Sequence, residues 1–155
     1  MRPTPSSNRK TQEEAMTVRE ASDIVRHQTP LSLPPTATVK DACRAMRERR
    51  VGAVLVAGAD GALAGIFTGR DAVCRVVAEG LDPATTRLET VMTRAPDTID
   101  GRCTAVDLLR RMRDGGYRHL PVLEQGRIVG VVSRGDCRGL EHARLDEETG
   151  LWERI

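Results

Sequence analysis

Two aspartates, Asp71 and Asp136, each stand three residues after a hydroxyl side chain, in Thr68-Gly69-Arg70-Asp71 and Ser133-Arg134-Gly135-Asp136. A glycine and two apolar residues lead into both, Gly65-Ile66-Phe67 and Gly130-Val131-Val132. A strand that ends this way hands its polar tip to the start of a helix. There, free backbone N–H groups and the positive end of the macrodipole attract anions. Each tip also carries an arginine, Arg70 one residue before its aspartate and Arg134 two before. The hydroxyl-x-x-acid spacing is equally that of a helix capping box. The residues alone leave both roles open, and one aspartate can fill both because a cap uses only part of its acceptor capacity.

Other chemistries find little support. Neither Lys10 nor Lys40, the only lysines, follows a phosphate-cradling glycine loop. His27, His119 and His142 do not have the spacing of metal ligands on a helix, so no metal is expected. No Gly-x-Ser-x-Gly elbow occurs. Cys43, Cys74, Cys103 and Cys137 are scattered without a CxxC pair, against a zinc knuckle or a dithiol redox site. The expectation is a protein that is not an enzyme.

Composition agrees with a soluble globular chain of 155 residues, 39% hydrophobic and 30% charged, with a net charge of +2. Phe67, Tyr117 and Trp152 are its only aromatics, so the core must be aliphatic. The helix arginines Arg44, Arg47, Arg110, Arg111 and Arg113 are interleaved with acids and read as solvated faces, which argues against a nucleic-acid partner. No apolar run approaches the roughly 20 residues of a membrane span. Met1 to Met16 lacks a signal-peptide core. A cytoplasmic location and no membrane contact are expected.

The elements that must hold the two tips repeat in order. Residues 1–16 read as a disordered tail. A short helix is expected from Thr17, with Thr17 and Glu20 as its capping box, followed by a strand at Leu31–Leu33 that stops at Pro34-Pro35. Thr38 caps a helix whose Val39, Ala42, Cys43 and Met46 form one apolar stripe. Strands at Ala53–Val56 and Leu63–Thr68 follow, then a helix over Asp71–Ala78 with Val73, Val76 and Val77 to pack. A second short helix at Leu88–Met92 starts the pattern again. Val39, Ala42, Cys43 and Met46 become Ala105, Leu108, Leu109 and Met112, an offset of 66 residues that falls to 65 beyond the Gln125-Gly126 turn. The second copy continues with strands at Leu120–Leu123 and Ile128–Ser133 and a helix from about Asp136. The expected domains are 17–82 and 83–144, each with its opening helix, and a C-terminal tail 145–155 with Leu151, Trp152 and Ile155 as docking points. Each copy is too small to bury enough apolar surface alone. The fold class is therefore α/β (α+β), two β-α-β-β-α repeats packed sheet to sheet about a pseudo-twofold axis.

These features resemble a tandem CBS-domain protein, a Bateman module, over Thr17 to about Leu145. The resemblance rests on Thr17-Val18-Arg19-Glu20 with its counterpart Leu88-Glu89-Thr90-Val91-Met92, and on the helix ends Met46-Arg47-Glu48-Arg49 and Met112-Arg113-Asp114. It rests also on the strand mouth Gly116-Tyr117-Arg118-His119-Leu120-Pro121-Val122 and on the two tips. It implies a stand-alone, bacterial-type regulatory pair that takes AMP, ADP, ATP or S-adenosylmethionine, with or without magnesium, in clefts between the repeats. It also implies a disc-like homodimer that signals to a separate effector protein.

By the same resemblance Asp71 and Asp136 take the ribose hydroxyls, while Thr68 and Ser133 offer hydroxyls to phosphate, backed by backbone at Gly69. Arg118, followed by His119, stands where relatives meet the phosphates. The aspartate of one copy then shares a ligand with the strand mouth of the other, so Asp71 with Arg118 is the better-equipped cleft. Asp136 faces Gly52 and is expected to lack a phosphate donor. Backbone near Leu31–Leu33 and Pro96–Ile99 would cradle adenine. The alternative is a ligand-free dimerisation scaffold whose aspartates only cap; an enzyme acting on nucleotides and a cysteine redox switch are further rivals.

Overall fold

Glu20 meets Thr104 in an isolated antiparallel bridge, and the Ala105 amide donates to the Arg19 carbonyl at 2.8 Å. These bonds hold the chain extended, so helix α1 begins only at Ala21 and runs Ala21–Val25. Its capping residues are Glu20 and Asp23, with the Glu20 amide donating to Asp23 Oδ2 at 3.0 Å, and not the expected Thr17 and Glu20. The structure, a computed structural model, describes residues 19–153; the expected tail 1–16, Thr17, Val18 and Ile155 lie outside the described residues.

The first repeat continues with β1 (Ser32–Leu33), α2 (Val39–Arg49), β2 (Ala53–Ala57) and β3 (Leu63–Thr68). A single helical turn α3 (Gly69–Asp71) then widens into a π-helix over Ala72–Val77. The i→i+5 bond from the Ala78 amide to the Val73 carbonyl, 2.9 Å, marks the wider turn. Of the three valines expected to pack, only Val76 does; Val73 is 61% and Val77 73% exposed. The widened helix keeps one valine, not a stripe, toward the sheet.

Helix α4 (Leu88–Val91) is followed by a strand the sequence did not suggest, β4 (Thr93–Arg94). The second repeat is β5 (Ile99–Asp100), α5 (Ala105–Gly115), β6 (His119–Glu124) and β7 (Arg127–Ser133). Its tip differs from the first. Arg134–Asp136 form a 3-10 turn, Cys137 is extended, and helix α6 starts at Gly139, later than expected, and runs to Glu153. Residues 145–153 are thus helix, with Leu145 in the core. The docking expected of Leu151, Trp152 and Ile155 falls on side chains outside the described residues.

Two sheets result, ordered β1-β2-β3-β4 and β5-β6-β7. In each, a parallel outer strand flanks an antiparallel hairpin, β1 beside β2-β3 and β5 beside β6-β7. Ala53, Leu55 and Ile66 of the first sheet meet Ile128 and Val131 of the second, which is the sheet-to-sheet packing expected. The opening helices, however, are exchanged. Ala21 and Val25 of α1 sit in the core of the second repeat with Ile99, Leu108 and Val132. Leu88 and Val91 of α4 sit in the core of the first with Val39, Val54 and Phe67.

The exchange explains the glycine that opens each tip. A Cβ on Gly65 would stand 2.6 Å from Met92 Sδ, and one on Gly130 2.5 Å from Val25 Cβ. Each crossing segment passes directly over its glycine. Beyond Gly65, β4 closes the edge of β3 by pairing Thr93 with Ile66. In the second repeat the Gln28 side-chain amide does this work, donating to the Val131 carbonyl and accepting from its amide, both at 3.0 Å. An edge that would otherwise expose unpaired backbone is covered by one side chain.

A buried ion pair locks the first strap. Glu141 is 0% exposed and receives Arg19 Nε at 2.8 Å, Arg19 Nη2 at 3.0 Å and the Arg138 amide at 2.7 Å. The Glu141 hydrogen bond, above all, raises Arg19 beyond its ordinary value against the opposing effect of burial. Val76 holds the corresponding place in the first repeat, also buried. Removing one partner of such a pair strands the other charge at a cost of about 3–5 kcal/mol, whereas apolar replacement of both is often neutral. Arg19→Met, which leaves the buried Glu141 carboxylate without its cation, is therefore expected to lower stability in urea denaturation by about that amount. Arg19→Met with Glu141→Val should recover most of it; equal stability of the single variant and the wild type would contradict this account.

Candidate ligand clefts

The seam between the sheets leaves two cavities on the pseudo-twofold arrangement. The larger, about 950 Å³, is lined by Thr68, Gly69, Arg70 and Asp71 of the first tip and by Arg118 and His119 of the second strand mouth. The smaller, about 320 Å³, is lined by Ser133 and Asp136 of the second tip and by Gly52 and Ala53 of the first strand mouth. Both volumes fall within the roughly 300–1,000 Å³ typical of small-molecule sites. Each cavity therefore joins the tip of one repeat to the strand mouth of the other. Arg134 is the candidate residue that lines neither: its place in the 3-10 turn leaves it exposed, and its amide is spent on the Arg118 carbonyl at 2.9 Å.

The first tip is a closed capping box. Asp71 Oδ2 accepts from the Thr68 amide at 3.0 Å and from Thr68 Oγ1 at 3.1 Å, and Thr68 Oγ1 accepts from the Asp71 amide at 3.2 Å. The hydroxyl proton of Thr68 is thus committed to Asp71. Oδ1 has only a loose ion pair with Arg75 Nε at 3.5 Å, and Arg75 is itself anchored on the Val91 and Met92 carbonyls. One carboxylate oxygen caps, and the other keeps acceptor capacity. In the second tip Asp136 Oδ2 accepts from the Ser133 amide at 2.8 Å, and no hydrogen bond to Oδ1 occurs among the described residues.

The larger cavity has two unengaged cations, Arg70 and Arg118, whose guanidinium groups make no hydrogen bond or ion pair among the described residues. In the wall of the same cavity Tyr117 donates its hydroxyl to Asp97 Oδ2 at 2.8 Å; burial first, and then this bond, push the phenol above its ordinary value. Sequence reasoning missed Asp97 in the wall, because nothing local marks a side chain placed by a distant tyrosine. Pro96 and Asp97 line this cavity and Leu31 the smaller one, so each segment expected to cradle adenine reaches a cleft.

The expectation that the Asp136 cleft lacks a cation is corrected. Arg49 and Arg50, at the end of α2, line it beside Gly52. Arg50 caps the helix in the left-handed region, φ 54°, where the second repeat has Gly116 at φ 69°. Any residue with a Cβ is disfavoured at that backbone position relative to glycine. Matching strand mouths alone, Gly52 against Arg118, hides a cation that the preceding helix end supplies.

His119 lines both cavities. Its ring lies against Gly52, where a Cβ would stand 3.0 Å from Nε2 and 3.2 Å from Cε1. Burial, chiefly, lowers His119 below the ordinary imidazole value; Asp136 opposes the shift and Arg118 adds to it.

The CBS-domain family model matches residues 21–77 and again 88–142, and the chain belongs to that family as a tandem pair. It is 41% identical over 107 residues to the CBS domain-containing protein CBSCBSPB3 of Arabidopsis thaliana, covering 69% of this chain and 19% of the relative. The chain thus spans about a fifth of the length of that relative. It is 34% identical over 108 residues to Hypoxic response protein 1 of Mycobacterium tuberculosis, covering 68% and 76% of the two chains. Among solved structures it superposes on the CBS domain protein PAE2072 from Pyrobaculum aerophilum complexed with AMP. The TM-score there is 0.74 at 25% identity, with 83% of this chain and 98% of the other covered.

The capping role can be measured without any ligand. Thr68→Ala is expected to cost about 0.5–2 kcal/mol of stability in the ligand-free protein, read by urea denaturation. An unchanged midpoint would show that the Thr68–Asp71 box holds nothing.

Proposed function

We propose that this CBS pair is a regulatory module that binds an adenosine-containing ligand, AMP, ADP, ATP or S-adenosylmethionine, in the clefts between its repeats. The observation that carries the reading is the meeting of Asp71 and Arg118, 47 positions apart in the sequence, in one cavity. Asp71 Oδ1 takes ribose hydroxyls while Oδ2 keeps its cap. Arg118 and Arg70 meet the phosphates, with or without magnesium between. The AMP held by the P. aerophilum protein supports this ligand class. The ligand is a signal and not a substrate: it ties one tip to the opposite strand mouth, and an effector protein reads the change. The shift cannot exceed the ligand's differential affinity for the two states.

The homodimer belongs to the same proposal. Val73 and Val77 stand exposed on one helix of the first repeat, where the second repeat has Arg138 and His142. An apolar patch of this kind is self-complementary across a twofold axis. Val73→Glu with Val77→Glu is expected to convert a dimer to a monomer in analytical ultracentrifugation; an unchanged dimer would place the contact elsewhere.

The scaffold reading keeps one observation in its favour, the closed Thr68–Asp71 box. Isothermal titration with AMP, ATP and S-adenosylmethionine separates the two. Binding to the wild type is expected, with Arg118→Ala weakening the nucleotides roughly ten- to hundredfold, as loss of a charge-assisted hydrogen bond implies. Asp71→Ala should weaken all three ligands. No binding of any of them would leave the scaffold.

A further inference from the structure

The two cavities are not insulated from each other. His119 and Gly52 are common to both walls, and the imidazole rests on the glycine with no side chain between. In the first repeat the position of His119 is taken by Ala53, so the pseudo-twofold arrangement has a single imidazole at its centre. The charged and titratable groups around that ring come from five places. Arg118 precedes it on its own strand, after Tyr117, and Asp136 faces it from the turn after β7. Arg70 and Asp71 share the larger cavity with it, as does Asp97, which holds the Tyr117 hydroxyl, and Arg49 and Arg50 share the smaller. Arg70 and Arg118 in the larger cleft and Arg50 in the smaller, whose guanidinium groups make no hydrogen bond among the described residues, thus flank one titratable side chain where an anionic group would settle. Arg49 is held on the Thr29 carbonyl at 3.2 Å.

We propose that His119 is a single anion-responsive residue shared by the two clefts, so that phosphate held in one cleft changes the affinity of the other for phosphate. The proposal rests on the nucleotide reading and deepens it by naming the regulation of that site. Its physical basis is linkage. Burial, with Arg118 adding to it and Asp136 opposing, favours the neutral imidazole in the free protein. An anion beside it favours the charged form, so binding takes up a proton. Affinity therefore rises as pH falls toward the lowered value of the free imidazole, and it levels off once His119 is charged in the free protein too. After one cleft is filled, the second meets an imidazolium already formed.

The test is isothermal titration of AMP into wild type, His119→Gln and Arg118→Ala at pH 6.0 and 8.0. AMP's own phosphate titrates in all three proteins, so differences between them isolate the side chain. Two binding events are expected in the wild type, tighter at pH 6.0 by up to about tenfold per unit of pKa rise beyond the change seen in His119→Gln. Arg118→Ala should weaken one event and His119→Gln both. Gly52→Ala, which crowds the ring without removing it, should also disturb both and stands in if His119→Gln does not fold. AMP binding with only one event sensitive to His119, or with the same pH dependence in wild type and His119→Gln, overturns the shared role. No binding of AMP to the wild type overturns the nucleotide reading, and the role of His119 with it.

Discussion

An apolar sheet face needs a second layer, and a unit of about 60 residues has little chain left to build one. In this protein each sheet is covered by the other at Ala53, Leu55 and Ile66 against Ile128 and Val131. Each core is completed by a helix borrowed from the opposite end of the repeat order, α1 for the second and α4 for the first. Neither repeat then keeps a whole core when separated from its partner. The chain crosses the seam twice, and the Arg19–Glu141 pair fastens one of the crossings.

The clefts are a consequence of that exchange. Two twisted sheets packed at their centres diverge at their ends, and the ends are where strand tips and strand mouths lie. The straps run through the same places: Met92 and Thr93 pass over Gly65, and Val25 over Gly130, a few residues before each polar tip. The capping boxes fix the aspartates at the seam, and in the proposed reading the remaining acceptor capacity is what a ligand uses. Capping and binding are then simultaneous uses of the two oxygens of one carboxylate. Local strain gathers in the same region, since Ala95 at φ 42° lines the larger cavity and Arg50 at φ 54° the smaller.

What the sequence made legible was whatever is encoded locally and copied. The apolar stripes of α2 and α5, the hairpins and the two tips recur at nearly constant offset, and the structure has them. The meeting of Asp71 with Arg118 was expected only through the family resemblance, because no local pattern says which strand mouth faces which tip. The exchanged helices were illegible for the same reason: Ala21 and Val25 show an apolar face but not whose core it enters. The start of α1 was misread because the bridge of Glu20 to Thr104 is a tertiary contact. Val73 and Val77 looked like core on an α-helical wheel, and the π-helix breaks that wheel. Arg49 was read as part of a helix end, which it is, but nothing local showed that this end, with Arg50 after it, opens onto a cleft.

The central claim is that one ligand spans two repeats, and hydrogen–deuterium exchange with and without AMP tests it most directly. The account predicts that AMP slows exchange together at 69–71 and at 118–120, segments that belong to different repeats and meet only across the seam. Protection confined to one repeat, or none at either segment, would contradict it.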